Sequence, residues 1–309
     1  MNDVLGGLAP QAFLDRYWQR EPLVVRQACP DLGDLIAPEE LAGLALEPEV
    51  ESRLVRGREG HRELLHGPFE EALFLSLPEA DWTLLVQAVD LWVPEVAAVL
   101  DRFEFLPRWR IEDLMVSYAT PGGGVGAHVD RYDVFLIQAA GQRRWRVGSG
   151  SELESSQTDE GGLQVLRHFA PENEWLLEPG DLLYLPPGYG HEGVAETAGM
   201  TFSVGFRAPL AVEMLDDLTT ELMSQGQAAV YTDPPLTPSM ARGEIDDVFV
   251  ARVRALLGEI LDDEALLGDW LARFMTAPKY AEHVGLTGEH RRAQFGGRTY
   301  VNGEIEDAD

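Results

Sequence analysis

Apolar and polar positions along the 309-residue chain change rhythm twice. Up to about residue 105 the rhythm is mostly helical. The opening "MNDVLGGLAPQAFLDRYW" predicts a short loop and an amphipathic helix. "APEELAGLAL" (37–46) puts Pro38 at a first helical position, where its missing N–H costs nothing. In "DWTLLVQAVDLWVPEVAAVLDRF" (81–103), Asp81 is a possible N-cap and Leu85, Val89 and Trp92 fall at helical spacing. Pro94 should end or kink that helix. From about 111 to 207 the pattern becomes short apolar or alternating runs broken by Gly and Pro: "DLMVSYAT", "DVFLIQ", "RRWRVG", "EWLLEPGDLLYLP" and "TFSVGFRAP". Such runs predict strands of an all-β sandwich or barrel, with "EPGD" (178–181) a turn between two of them.

After Pro209 helices return. "LAVEMLDDLTTELMSQG" (210–226) sets Leu215, Leu218 and Leu222 on one face and stops at Gly226. "YTDPPLTPSM" (231–240) reads as a linker. Helical stretches follow at 245–258 and 262–275, and "QFGGRTYVNGEIED" suggests a small hairpin, so the end of the chain has the makings of a winged-helix module. The expected organisation is a domain over 1–207 with helices to about 105, a helical segment and linker over 208–240, and a winged-helix-like module over 241–309.

Composition narrows the class. With 45% hydrophobic residues the chain can build a core,. No run of about 18 apolar residues predicts a membrane span, and no basic stretch leads into an apolar one at the start, so a cytoplasmic protein is expected. A single cysteine, Cys29, excludes an internal disulfide and a cysteine-based zinc site,. The 53 acidic residues outweigh 24 basic ones, for a net charge of −29. Phosphate backbones would repel that surface, and residues 211–309, with 19 acidic against 8 basic side chains, argue against DNA binding by the C-terminal module,. Two readings of the acidity remain: a solvated surface that needs no partner, or attraction of a basic protein substrate.

The chemistry concentrates in "PGGGVGAHVDRYDVFLIQAAGQRRWRVG" (121–148). His128 and Asp130, two apart, share a face if they lie on a strand. "EPGDLLYLPPGYGHEGV" (178–194) offers a turn, a strand and a Pro-Pro-Gly bend that would return His191 towards the same pair. Two imidazoles and one carboxylate form a facial set that favours non-haem Fe(II) and leaves three coordination positions open. Zinc accepts the same ligand types. Arg143 shares a strand face with Trp145. If that face is interior, its charge needs an anion, and a ligand carboxylate is an attractive partner. Otherwise Arg144 and Arg146 point inward and Arg143 is a surface charge. Ser117 could add a hydroxyl.

These two segments resemble the cupin signatures: Gly122 and His128 in the first, Gly180, Pro186, Gly188 and His191 in the second. Asp130 stands where ordinary cupins have a second His, Val134 or Phe135 where they have a Glu, and Ala195 where they have an Asn. That pattern is similar to JmjC-type 2-oxoglutarate oxygenases. Within them, the run from "SYATPGGGVGAHVD" to "RRWRVG", with "TFSVGFRAP", closely resembles the bacterial ribosomal oxygenases that hydroxylate an arginine of the large-subunit ribosomal protein L-sixteen. The resemblance implies a mixed α+β chain: a double-stranded β-helix (jelly-roll) catalytic domain with N-terminal helices, a helical dimerisation segment and the winged-helix-like end. It implies His128, Asp130 and His191 as Fe(II) ligands, Arg143 as the group holding the distal carboxylate of 2-oxoglutarate, Ser117 beside it, O₂ as co-substrate, and a homodimer through the helix near 210–226. It also leads one to expect a polar side chain at position 119, where this chain has Ala119.

The implied reaction couples oxidative decarboxylation of 2-oxoglutarate to hydroxylation of a C–H bond, with the protein orienting the reactants and excluding water. An arginine substrate calls for carboxylates and aromatic faces near the mouth, and Asp133, Glu112, Asp113 and Tyr132 are candidates. A histidine hydroxylase or a demethylase could use the same scaffold. A non-catalytic module that binds a small carboxylate is the alternative from another class, and a zinc-dependent cupin isomerase a third.

Overall fold

The computed structural model describes residues 4–57, 61–149, 156–158, 162–226, 230–237, 243, 245–280, 282 and 291–306. The chain divides into two compact units, one comprising 1–208 with 282–289 and the other 209–281 with 290–309.

The first unit begins with helix α1 (Pro10–Arg16), strand β1 (Leu23–Val25) and helix α2 (Pro38–Leu44), whose Pro38 takes the first helical turn. Next come β2 (Ser52–Arg56), β3 (Glu63–His66), the short helix α3 (Glu71–Leu75), β4 (Trp82–Val86) and the single turn α4 (Pro94–Ala97). The expectation of a mostly helical N-terminal third thus fails at 52–56, 63–66 and 82–86, which are strands. Residues 82–86 are Trp-Thr-Leu-Leu-Val, types that suit a pleated, half-buried surface. They pair with β2 on one side and β5 (Ile111–Ala119) on the other, overriding the helical spacing of Leu85, Val89 and Trp92. Asp81 caps no helix; with φ of 67° it is a left-handed turn residue.

Strands fill the region where the sequence predicts them, with β6, β9, β10 and β13 additional to the runs it singles out: β6 (His128–Val129), β7 (Val134–Ala140), β8 (Arg143–Gly148), β9 (Ser156–Thr158), β10 (Gln164–Leu166), β11 (Asn173–Leu177), β12 (Leu182–Leu185), β13 (Gly190–Ala195) and β14 (Gly199–Phe206). A major sheet runs β1-β12-β7-β14-β5-β4-β2-β3 and a minor sheet β11-β8-β13-β6. Strands β7 and β8 are not a hairpin. The chain leaves the major sheet at Gly141 (φ 68°) and enters the minor one, and "EPGD" makes the reverse crossing from β11 to β12. These crossings give the double-stranded β-helix its two walls.

Strand alternation assigns the two faces of the major sheet different tasks. Leu114 and Val116 of β5, Phe135 and Ile137 of β7, and Phe202 and Val204 of β14 point outward. There they join Phe13, Leu41 and Phe103 in the main hydrophobic core. Each such side chain contributes roughly 1.5–3 kcal/mol by leaving water. The intervening residues, Asp113, Met115 and Ser117 on β5, Thr201 and Ser203 on β14 and Gln138 on β7, share the opposite face, as the register pairs Thr201 with both Ser117 and Gln138. That face lines the interior, so its polar side chains have to serve one another or a ligand.

The second unit holds α5 (Ala211–Ser224), α6 (Asp247–Leu261) and α7 (Glu264–Thr276). Asp246 and Asp263 cap the last two by accepting backbone N–H groups,. The Trp270 indole donates to Asp217 at 2.7 Å and ties α7 to α5. Of the leucine stripe on α5, Leu218 is buried while Leu215 is 54% exposed. The expected hairpin gains a third strand: β15 (Arg292–Phe295), β16 (Arg298–Val301) and β17 (Glu304–Ile305) form one antiparallel sheet. Asn302-Gly303, both at positive φ, makes the second turn, a dipeptide suited to tight hairpins,.

Candidate active site

Pairing of β6 with β13 sets His128 directly opposite His191. Asp130 lies just past the end of β6, where its backbone carbonyl accepts the N–H of Gly188 at 2.9 Å. Gly188 has φ of 82°, a conformation L side chains resist, so the Pro-Pro-Gly bend both turns the chain and pins Asp130,. The imidazole rings are 4.2 Å apart between centroids. Asp130 Oδ2 is 3.5 Å from His191 Nε2 and 3.9 Å from His128 Nε2.

The tautomers follow from the other ring nitrogens. His128 Nδ1 donates to the Gly126 carbonyl and His191 Nδ1 to the Tyr189 carbonyl, each at 3.0 Å. Both Nε2 lone pairs are left facing Asp130, the usual way a protein orients metal-binding histidines. Burial, and then the neighbouring His128, pushes His191 down to about 4, so it stays neutral at physiological pH with its lone pair available,. One donor atom from each residue fits within 4.8 Å of the other two. This is the only such cluster among the described residues, and its hard-to-intermediate N,N,O donors suit Fe(II),.

Arg143 lies deeper in the same interior and is 5% exposed. Its guanidinium donates to the Gly193 carbonyl at 3.2 Å and makes long contacts to Thr201 Oγ1 (3.4 Å) and Ser117 Oγ (3.5 Å). Its Nε has no partner, and no carboxylate pairs with it among the described residues. Burial pushes the group down to about 10, still charged at neutral pH. A buried, charged and anion-free guanidinium is a receptor for a ligand carboxylate. Trp145 stacks beneath it, 4.9 Å from ring centroid to guanidinium carbon, and its ring lies 5.9 Å from that of His191, so one wall joins the two ends. A Cβ on Gly193 would come within 2.7 Å of both Arg143 Nε and the Trp145 ring, so only glycine fits there.

The alternation puts Arg144 and Arg146 on the outer side of the minor sheet. Arg144 pairs with Glu196 (2.6 Å) and Glu174 (2.7 Å), and Arg146 with Glu192. Of the four candidates for the mouth, Asp133 is misplaced. It is fully buried, accepts from Tyr184 at 2.6 Å and Gln19 at 3.1 Å, and anchors the turn after α1. Glu112 pairs with Arg207 at 3.0 Å. Asp113 and Tyr132 flank Gly205, and the charges of Asp130 and Asp113, after burial, raise the Tyr132 phenol. Asp113 takes a hydrogen bond from Gln87 at 2.8 Å.

Sequence reasoning missed Thr201, Gln138 and Gly193. Thr201 could have been found from the alternation of "TFSVGF", which puts Thr, Ser and Gly on one face. Thr201 in turn donates to Gln138 at 3.1 Å.

Comparison with known proteins agrees with this geometry. A JmjC domain model matches residues 98–214. The Ribosomal protein uL16 3-hydroxylase of Escherichia coli (strain K12) is 40% identical over 269 residues, which span 87% of this chain and 71% of that protein. The crystal structure of E. coli YcfD superposes with a TM-score of 0.89 at 35% identity, covering 98% of this chain and 87% of that one. The complex of YcfD, a ribosomal oxygenase, with cobalt and 2-oxoglutarate gives 0.86 at 35% identity, covering 98% and 86%. A facial cluster of donors, a buried guanidinium across the same barrel, and likeness over most of both chains have one common explanation: the chain belongs to the JmjC ribosomal oxygenase family.

Proposed function

We propose that the chain is an Fe(II)- and 2-oxoglutarate-dependent protein hydroxylase that uses O₂ to place a hydroxyl on an arginine side chain of ribosomal protein uL16. The observation that carries this reading is the pairing of a His-Asp-His cluster with a buried, anion-free Arg143 across one interior. His128, Asp130 and His191 would hold the metal. Arg143, with Ser117 and Thr201 beside it, would hold the distal carboxylate of 2-oxoglutarate. When bound, iron and 2-oxoglutarate supply oxygen activation by oxidative decarboxylation, a chemistry no side chain provides. The protein's own residues orient. The two backbone-held imidazoles keep their lone pairs aimed at one point, and Trp145 fills the space between the ends and excludes water.

The substrate guanidinium would enter past Tyr132 and meet Asp113, a carboxylate on the interior face of β5. The net charge of −29 favours approach of a basic ribosomal protein and disfavours nucleic acid,. Such a protein is met in the cytoplasm, where this chain would act. The second unit carries uncovered apolar side chains on α5 (Val212, Leu215, Met223) and on α6 (Val250, Val253, Leu257), each more than 40% exposed. We read these faces as the surface on which a second copy packs, and α6, α7 and the three-stranded sheet as a winged-helix-like module without a DNA-binding role.

The test is to incubate the purified chain and uL16 with Fe(II), 2-oxoglutarate and O₂ and to locate any added oxygen by tandem mass spectrometry. One oxygen on an arginine with equimolar succinate is expected. Oxygen on a histidine, loss of a methyl group, or no succinate release would overturn the reading in favour of the alternatives.

A further inference from the structure

The interior carries a buried hydroxyl, that of Thr83, that nothing above uses. Thr83, on β4, is fully buried and its Oγ1 has no hydrogen-bond partner. Burying a hydroxyl without a partner is unfavourable, and a valine would fill the same space without that cost. The hydroxyl therefore needs a reason.

Its position supplies one. On β4, Leu84 and Val86 belong to the outer core, so Thr83 and Leu85 face inward. The register pairs Thr83 with Ala119 and Leu85 with Ser117. On the opposite wall Arg143 is paired with Ala195. The glycine run closes the gap between the walls: Gly122 N–H donates to the Ala195 carbonyl at 2.8 Å, and Ala195 N–H donates to the Gly123 carbonyl at 3.0 Å. An ideal Cβ on Gly123 would sit 2.9 Å from Thr83 Oγ1. One level of the barrel thus passes through Arg143, Ala195, Gly123, Thr83 and Ala119. Of the five residues named at that level, all but Arg143 and Thr83 carry only a methyl group or a hydrogen.

The guanidinium of Arg143 reaches up from this level to Ser117, Thr201 and Gly193. Thr83 is the diagonal neighbour of Ser117 across the β4–β5 pair, a separation of about 7–8 Å. A carboxylate whose one oxygen is held by Arg143 and Ser117 can span that distance with its other oxygen.

We propose that Thr83 is a cosubstrate-binding residue, whose hydroxyl donates to the distal carboxylate held by Arg143. This rests on the 2-oxoglutarate reading above. It assigns to β4, a strand of the N-terminal third, a donor that Ala119 at the adjacent position on β5 does not provide.

The experiment compares wild type with Thr83→Val in the Mn(II)-loaded, oxygen-free protein. Calorimetry gives Kd for 2-oxoglutarate and for oxalate, a chelator without a distal carboxylate, and thermal unfolding is followed on the ligand-free protein. The expected result is a rise of about tenfold in Kd for 2-oxoglutarate, no change for oxalate, and a Tm equal to or above wild type. Thr83→Ser against Thr83→Ala covers the case in which valine perturbs folding: serine should bind 2-oxoglutarate about tenfold more tightly than alanine. Equal Kd values for 2-oxoglutarate across these pairs, or an equal loss for oxalate, would overturn the assignment. A wild type that binds no 2-oxoglutarate would overturn the hydroxylase reading itself.

Discussion

Replacing Arg143 by methionine should make the ligand-free protein more stable while abolishing cosubstrate binding. Burial depresses the guanidinium to about 10. Relative to an ordinary arginine, this corresponds to roughly 3 kcal/mol of folding free energy at neutral pH. The sign follows from linkage. The unfolded chain holds the proton more tightly than the folded one, so the penalty is complete below about pH 10 and fades as pH rises towards the ordinary arginine value,. Against it stands the one bond of normal length, to the Gly193 carbonyl, worth about 1 kcal/mol,. Methionine fills much of the same volume without charge, so the net gain is about 2 kcal/mol, or roughly 4–8 °C in Tm for a unit of this size. Removing the partner of a buried carboxylate costs about 3–5 kcal/mol, so Kd for 2-oxoglutarate should rise by two orders of magnitude or more. Thermal unfolding with and without saturating 2-oxoglutarate reads both effects. A variant that melts lower than wild type without ligand, yet gains the same ligand-induced increase in Tm, would refute the reasoning.

Further expectations concern other parts of the molecule. Gly193→Ala forces a methyl group against Arg143 and Trp145, so it should cost about 1–3 kcal/mol in denaturant unfolding and weaken 2-oxoglutarate binding,; a wild-type Kd would show that the guanidinium can move aside. Asp113→Asn should raise KM for an arginine-containing uL16 peptide about 30-fold, the lower range for breaking a buried charge pair, with metal and 2-oxoglutarate affinities unchanged. An unchanged KM would remove Asp113 from the substrate site. Leu257→Asp on α6 should shift the sedimentation coefficient from that of a dimer to that of a monomer, and no shift would place the contact between copies elsewhere.

Legibility in the sequence depended on the kind of signal. The grouping of His128, Asp130 and His191 was readable because it needs only a strand face and a turn, both local properties, and glycines and prolines marked the turns. The strand pattern leaves the inward face of Arg143 open, and only the resemblance implies it. Residues 82–86 were misread because Leu85, Val89 and Trp92 satisfy a helical period by coincidence, whereas pairing with β2 and β5 is decided by segments about 30 residues away on either side,. Asp133 is one of four candidates for the mouth among which the sequence does not choose. Its partners, Gln19 and Tyr184, are 114 and 51 residues distant and draw it into the core. Thr83 carries no motif at all: a threonine on a strand acquires meaning only when the opposite wall is known, whereas the alternation of "TFSVGF" already sets Thr201 on one face with Ser203 and Gly205.

Strand β13 has a consequence for which keto acids can be used. It carries His191 near the metal end and Gly193, whose carbonyl holds Arg143, only two residues further on. Two residues of extended chain advance about 6.7 Å. Under the proposed reading the backbone would act as a gauge, since one metal ligand and the carbonyl that positions Arg143 both belong to a single strand. A five-carbon diacid would then be preferred over its four-carbon homologue, and rearrangement of loops would not change that preference.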